Sequence, residues 1–168
     1  MDHIALEVIF KAASASLDHK LLQQKSAIIE TGIWLDSVVL RISKEHWAND
    51  VFQKPQTGAA IFFSIWLNEK SLKEDKVNYN IHAFKLRDLK GYSITSSAFT
   101  SAFRKQFSYF KEDWPNLSTE QGPRTLMQGW ITYDPINLER DISELACKFF
   151  KIDGIIDELL TERKKHLK

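Results

Sequence analysis

The chain has 168 residues, of which 43% are hydrophobic and 27% charged, the size and composition of one soluble globular domain. Its 23 basic and 22 acidic side chains leave a net charge of +1, which excludes a polyanion-binding surface spread over the whole protein. Cys147 is the only cysteine, so neither an intramolecular disulfide nor a cysteine-based zinc cluster can form. The N-terminus lacks the pattern of a signal peptide and no apolar run is long enough to cross a bilayer, so we expect a soluble, cytoplasmic protein without membrane contact.

The first 31 residues are predicted to be helical. Apolar residues recur there every three or four positions, which predicts a long helix over residues 3–31. Gly32 follows the last of them and suits the left-handed position after a helix end. Short polar side chains at Ser14–Asp18 compete for the backbone, so a break is expected there. His19 falls on the apolar stripe, where we expect a partly buried, hydrogen-bonded imidazole rather than a ligand or a base.

Three strands are predicted next. Alternating apolar and polar residues indicate a half-buried strand first, and a loop containing Pro55 follows it. The second strand is apolar on both faces, which favours a central position, and a charged turn joins it to an antiparallel neighbour. His82 lies in that neighbour, and we interpret it as structural rather than as part of a site. The three predicted strands lie within residues 33–47, 59–67 and 77–86.

The second half of the chain is predicted to alternate between helices and a strand. Thr95 or Ser96 can cap a helix that runs to about residue 112. Its Phe103 lies in the middle of an apolar stripe predicted to face the core, whereas Arg104 and Lys105 are predicted to point to solvent. A strand at residues 126–133 follows, and Asp134-Pro135 then opens a helix that Gly154 interrupts.

The order of these elements predicts the fold class. The order is helix, three strands, helix, strand, helix. This order favours an α+β fold, with an antiparallel sheet of four to five strands and helices packed mainly on one face. A parallel doubly wound sheet would need helices between the first three strands. We expect residues 1–168 to form a single globular domain with a frayed basic tail from about residue 163.

Several enzyme classes lack their signatures in this sequence. The six glycines are never closer than seven residues apart, so neither the dinucleotide fingerprint nor the phosphate-binding loop can be formed from them. No histidine pair has the spacing of a zinc protease, and no serine lies in a Gly-x-Ser-x-Gly turn. We therefore expect no cofactor and no metal.

One catalytic alternative stays open. The sequence contains two acid-x-Lys triplets, Glu74-Asp75-Lys76 and Asp88-Leu89-Lys90. Magnesium-dependent nucleases use these residue types to hold metal and to orient water. Asp36 or Asp50 would supply a further acid. The alternative function is therefore a metal-dependent phosphoesterase or nuclease centred on Asp88 and Lys90. The competing interpretation is that both triplets are solvated turns.

The strongest regional signal is a basic and aromatic stretch. Residues 76–111 carry seven lysines and arginines against one acid, Asp88, and aromatic residues are interleaved with them. Lysine and arginine neutralise phosphates, and exposed aromatic rings stack on unpaired bases. The stretch therefore predicts a nucleic-acid or other anion-binding patch, with an ordinary solvated surface as the competing interpretation. The candidate binding residues are Lys85, Arg87, Lys90, Arg104, Lys105 and Lys111.

The best-supported function at this level is a non-catalytic binding or accessory module. Its partner is predicted to be a protein, a second copy of the chain, or an anion such as nucleic acid. Trp47, Trp114 and Trp130 lie near loops or strand ends, where tryptophan is typical of interface hot spots. We expect two of these three indoles to close the end of the core instead.

Overall fold

The computed structural model describes residues 1–166. Five strands form one antiparallel sheet in which neighbours in the sequence are neighbours in space. Antiparallel neighbours need no crossover connection, and the segments between consecutive strands range from two residues, 35–36, to the 40 residues 85–124. The strands are β1 Ala27–Trp34, β2 Ser37–Lys44, β3 Ala60–Leu67, β4 Lys76–Phe84 and β5 Thr125–Thr132.

Six α-helices accompany the sheet, and short 3₁₀ turns lie between some of the elements. Their side chains join those of one sheet face in a single hydrophobic core. Phe10, Phe103 and Phe149 are fully buried in it, each from a different helix. The helices are α1 His3–Ala15, α2 His19–Lys25, α3 Glu69–Lys73, α4 Ser96–Phe107, α5 Leu138–Phe149 and α6 Asp153–Glu162.

The alternation of each strand divides the sheet into two faces. On the core face, Leu40, Ile65 and Tyr79 pair across β2, β3 and β4, and all three are buried. Because successive side chains point to opposite faces, the intervening residues of each strand lie on the other face. The predicted α+β class with an antiparallel sheet is confirmed, and β3 has the central position that its sequence indicates.

The N-terminal prediction was wrong for its last six residues. The helical pattern breaks after Ala15, within the expected segment, but α2 ends at Lys25 and β1 begins at Ala27. Ser26 has φ +53°, a left-handed conformation that ends the helix. The following Ile28, Ile29 and Thr31 are β-branched and pair with β2, so tertiary pairing overrides the helical spacing. His19 is exposed, contrary to the expected partly buried imidazole.

Two further boundaries differ from the predictions. The charged turn after β3 contains α3, which a capping box between Asn68 and Ser71 nucleates. The helix expected from Asp134-Pro135 begins only at Leu138, because the Asp134 carboxylate accepts from the backbone of Ile136 and the side chain of Asn137 and so forms a turn first.

The C-terminal segment is paired through Lys165. The N–H of Ser93 donates to the carbonyl of Arg163, and the N–H of Lys165 donates to the carbonyl of Gly91. The predicted fraying from residue 163 therefore does not describe residues 163–165, because their backbone has partners in the turn before α4. The last two residues of the predicted tail lie outside the described residues.

A buried ion network attaches α6 to the end of β2. The ammonium of Lys44 lies 2.8 Å from the carboxylate of Asp153 and 2.5 Å from that of Asp157. Asp157 also accepts from the indole of Trp47 at 2.8 Å, and His46 lies 2.7 Å from it. Burial alone raises the pKa of Asp157, but hydrogen bonds from His46, Lys44 and Trp47 outweigh it and lower the pKa to about 2.

Within residues 1–166, no helix combines the length and the apolar composition that a membrane crossing requires.

Candidate functional site

The candidate residue Arg104 has a structural role. It belongs to the predicted solvent face of α4, but its guanidinium donates to the carbonyls of Gln121, Thr125 and Leu126 at 2.6 to 3.1 Å. It thereby secures the loop before β5 to the helix, and burial lowers its pKa. The expectation that Arg104 points to solvent was wrong, because the loop folds back over the C-terminal half of α4.

The other five candidate cations are exposed and lie at two ends of α4. Lys85, Arg87 and Lys90 surround the turn that precedes the helix. Lys105 lies nine residues after the first residue of the helix, about 14 Å away at 1.5 Å per residue, and Lys111 follows the helix. The aromatic residues interleaved with them are largely in the core, Phe99, Phe103 and Phe107 among them. The six candidates thus include one structural arginine and two separated groups of surface cations.

The residues of the alternative catalytic hypothesis are also on the surface. Asp88 and Lys90 are exposed in the turn after β4. The side chain of Asn49 donates to the carbonyl of Asp88 and accepts from the N–H of Lys90, so this turn has a structural partner. Among residues 1–166, no group of three or more histidine, cysteine, aspartate or glutamate side chains is arranged to hold a metal.

The sheet face opposite the core carries a different set of functional groups. We call it the open face. Across all five strands, one row of paired residues on this face is polar. The row runs Glu30, Arg41, Ser64, Asn80 and Gln128, one residue from each strand in sheet order.

Three members of this row are buried although they are polar. Arg41, Ser64 and Asn80 are each no more than 7% exposed. The guanidinium of Arg41 lies 2.6 Å from the carboxylate of Glu30, and the hydroxyl of Ser64 donates to Oδ1 of Asn80 at 2.5 Å. The second bond leaves the two N–H donors of the Asn80 amide for other partners.

Aromatic rings enclose the Arg41 end of the row. The guanidinium carbon lies 5.4 Å from the centre of the Trp34 ring and 5.2 Å from that of Phe62, within the range of cation–π attraction. Gly32 makes the position of Trp34 possible, since a Cβ there would lie 3.0 Å from the indole. Lys54 lies 3.0 Å from Glu30 and 5.5 Å from the centre of the Trp34 ring.

These rings line a concave site that we call the aromatic groove. Its volume is about 410 Å³, in the range of small-molecule sites. The loop between β2 and β3 forms one wall with Gln53, Lys54, Pro55 and Gln56. The groove is further lined by Trp34, Leu35, Ser37, Val39, Arg41, Phe62, Ser64, Trp66, Asn68, Asn80, His82 and Phe84.

His82 lies in the groove between two aromatic rings. The centre of its imidazole is 4.9 Å from that of Phe62 and 5.1 Å from that of Phe84. Burial lowers its pKa to about 4, so the ring is neutral at pH 7. A neutral imidazole offers one hydrogen-bond donor and one acceptor.

Two buried polar atoms of the groove have no partner among the described residues. They are Nδ1 of His82 and Oε1 of Gln56. Buried polar atoms are nearly always hydrogen-bonded, since an unpaired one costs about 1–3 kcal/mol. Both residues line the aromatic groove, and unpaired polar atoms beside a concave site are typical of a surface that a ligand or ordered water completes.

A second concave site, which we call the polar depression, adjoins the groove. It has a volume of about 400 Å³ and shares Trp66, Asn68 and Asn80 with the aromatic groove. Its further lining consists mainly of polar side chains and one more tryptophan. These further residues are Lys70, Ser71, Glu74, Asn78, Tyr79, Asn116, Ser118, Gln128, Gly129 and Trp130.

Two of the three tryptophans near loops or strand ends lie in the core, as expected. Trp47 and Trp114 are buried in the core. Trp130 is half-buried at the rim of the polar depression, with the ammonium of Lys76 4.6 Å from its ring centre.

Comparison with protein families, curated proteins and solved structures gave no match to the chain. The sequence does not indicate the open face through β3, because apolar residues on both faces of a strand predict only a central position. The available signal was the alternation in β4, where Asn78, Asn80 and His82 occupy one face and buried apolar residues the other.

Proposed function

We propose that this protein is a binding module whose ligand occupies the aromatic groove of the open face. The observation that carries the proposal is the pair of unpartnered buried atoms, Nδ1 of His82 and Oε1 of Gln56, on two residues that line a concave site walled by aromatic rings. Apolar walls with a few convergent polar groups are typical of small-molecule sites.

The groove favours a planar aromatic ligand. Trp34, Phe62, Trp66 and Phe84 offer ring surfaces on which a flat molecule stacks. His82 and the free N–H donors of Asn80 match a ligand whose edge carries both hydrogen-bond donors and acceptors.

The charges at the groove favour a neutral or anionic ligand over a cation. Arg41 and Lys54 already occupy cation–π positions at Trp34. Both pair with the single carboxylate of Glu30, which leaves a net positive charge at that end. Burial alone raises the pKa of Glu30, but its hydrogen bonds to Arg41 and Lys54 lower it overall, so this carboxylate is ionised at pH 7.

A screen of aromatic fragments by ligand-observed NMR tests the proposal. We expect planar heteroaromatic fragments to bind, and Trp34→Ala and Phe84→Ala to weaken that binding at least tenfold. Tyr109→Ala is the matched control, because Tyr109 is 87% exposed and does not line the groove. Thermal unfolding of each variant verifies that it is folded.

Two results would contradict the proposal. One is the absence of any fragment binding to the folded wild-type protein. The other is binding that Trp34→Ala and Phe84→Ala leave unchanged, since the fragments would then occupy another surface.

The remaining hypotheses from the sequence have less support. The metal-dependent phosphoesterase would need Asp88, an exposed side chain in a turn, to join further acids. The nucleic-acid patch would need its cations to act from the two ends of α4. A protein partner or homodimer, and a cytoplasmic location, stay predictions.

A further inference from the structure

The polar depression differs in chemistry from the aromatic groove and continues directly from it. The two concave sites share Trp66, Asn68 and Asn80, so one molecule can occupy both. The groove is mainly aromatic, whereas amide side chains dominate the depression. A ligand that fills both therefore has a flat part and a strongly polar part.

We infer that the polar depression binds a sugar ring attached to the planar group in the aromatic groove. This inference rests on the proposed function, because the sugar is attached to the planar group that the aromatic groove is proposed to bind. The chemical class is an aromatic group bearing a sugar, which includes nucleosides and aryl glycosides.

Two tryptophans provide platforms for a sugar. Trp66 pairs with Asn78, and Asn78 pairs with Trp130, so the indoles come from strands on either side of β4. Strands two positions apart in a sheet are separated by about 10 Å. The C–H groups on the face of a sugar ring pack against indole rings, and both indoles line the depression.

The amides around the depression match hydroxyl groups. A hydroxyl both donates and accepts hydrogen bonds, and an amide side chain does the same. Ser64 donates to Oδ1 of Asn80, which leaves N–H donors there, while Asn116 donates to the carbonyl of Trp130, which leaves its Oδ1 as an acceptor. A phosphate or carboxylate would use only the donors.

The charge of the depression also favours a neutral polar group. Lys70 and Glu74 line it with opposite charges. Neither a cluster of cations for a phosphate nor a cluster of acids for a cation is present among its lining residues. A sugar, which is uncharged and rich in hydroxyls, matches this arrangement.

Calorimetric titration of matched pairs of compounds tests the inference. The pairs are adenine with adenosine and 2-naphthol with 2-naphthyl β-D-glucopyranoside. We expect at least one glycosylated compound to bind tenfold or more tightly than its aglycone. A gain confined to adenosine indicates a nucleoside, and a gain confined to the glucoside indicates an aryl glycoside.

Variants of the depression decide whether the gain arises there. Trp130→Ala and Asn78→Ala should each abolish the gain from the sugar and leave the affinity for the aglycone unchanged, because neither residue lines the aromatic groove. Trp34→Ala should weaken both compounds of a pair.

Three results would overturn the inference. They are equal affinities within both pairs, a gain that survives in both Trp130→Ala and Asn78→Ala, and a lack of binding by all four compounds. The first two leave the proposed function intact, since the aglycone still binds. The fragment screen decides what the third result means for the proposed function. If planar fragments bind in the aromatic groove, only the sugar assignment has failed.

Discussion

The imidazole of His82 stacks on the ring of Phe84, with ring centres 5.1 Å apart and planes inclined by 25°. Burial between Phe84 and Phe62 disfavours the charged imidazolium and lowers the pKa of His82 from 6.5 to about 4. In the unfolded chain the imidazole has its ordinary pKa of about 6.5, so it becomes protonated at a higher pH than in the folded protein. The unfolded state therefore binds more protons between pH 6.5 and pH 4, and acidification through that window favours unfolding.

The first prediction concerns this pH window. The contribution of His82 to stability is complete above pH 6.5 and is lost as the pH falls to about 4, a change of about 3 kcal/mol. Urea unfolding at a series of pH values measures it, and NMR titration of the His82 ring gives its pKa directly. His82→Phe should flatten this part of the pH profile. An ordinary pKa for His82 would show that its ring is not buried between Phe62 and Phe84.

The second prediction concerns the two neighbouring cations of α4. Arg104→Gln should lower the free energy of unfolding by about 2 kcal/mol, because hydrogen bonds from a charged group to three carbonyls are lost. Lys105→Gln is the matched control. Lys105 is exposed, so its substitution should change stability by less than about 0.5 kcal/mol. Equal effects in chemical denaturation would show that the guanidinium does not hold the loop.

The third prediction concerns the close approach of Gly129 and Tyr79 on the core face. A Cβ at position 129 would lie 2.5 Å from Cζ of Tyr79, whose hydroxyl donates to the carbonyl of Pro115. Gly129→Ala should therefore destabilise the protein by about 1–3 kcal/mol, the usual cost of overpacking. Gly122→Ala meets no atom within 4 Å and should be nearly neutral. Thermal unfolding compares the two, and a neutral Gly129→Ala would place the Tyr79 ring elsewhere.

The fourth prediction concerns Asp157 in the buried ion network. Its pKa of about 2 lies below the ordinary 3.8, so its contribution to stability is present above about pH 4 and is lost as the pH falls to 2. Asp157→Asn should remove this part of the acid denaturation profile. Asp36→Asn changes an exposed carboxylate and is the control. An unchanged acid profile in Asp157→Asn would show that the network does not hold the carboxylate ionised.

Much of the fold was predictable because it depends on local patterns. The apolar residues on both faces of β3 indicated its central position, and the phenylalanine stripe of α4 indicated its core face. Strand β1 was not predictable in this way, because its apolar residues fit a helical period and only the left-handed Ser26 and the pairing with β2 decide the outcome.

The candidate site was harder to predict because its residues come from four strands and the loop between β2 and β3. Arg41, Ser64 and Asn80 are separated in the sequence by 16 to 23 residues, and only the strand register aligns them. The basic stretch shows the same dependence on tertiary structure. Of its six candidate binding residues, Arg104 donates to a loop and the other five lie at the two ends of α4.

The indole N–H signals of the five tryptophans test the central claim most directly. Trp34 and Trp66 line the aromatic groove, whereas Trp47 and Trp114 are buried in the core and serve as internal controls. In ¹H–¹⁵N spectra recorded during titration with a planar heteroaromatic fragment, we expect the signals of Trp34 and Trp66 to shift in a saturable way. The signals of Trp47 and Trp114 should stay in place. Saturable shifts confined to Trp47 and Trp114, or no shift of any indole signal, would contradict the proposal that the open face is the ligand site.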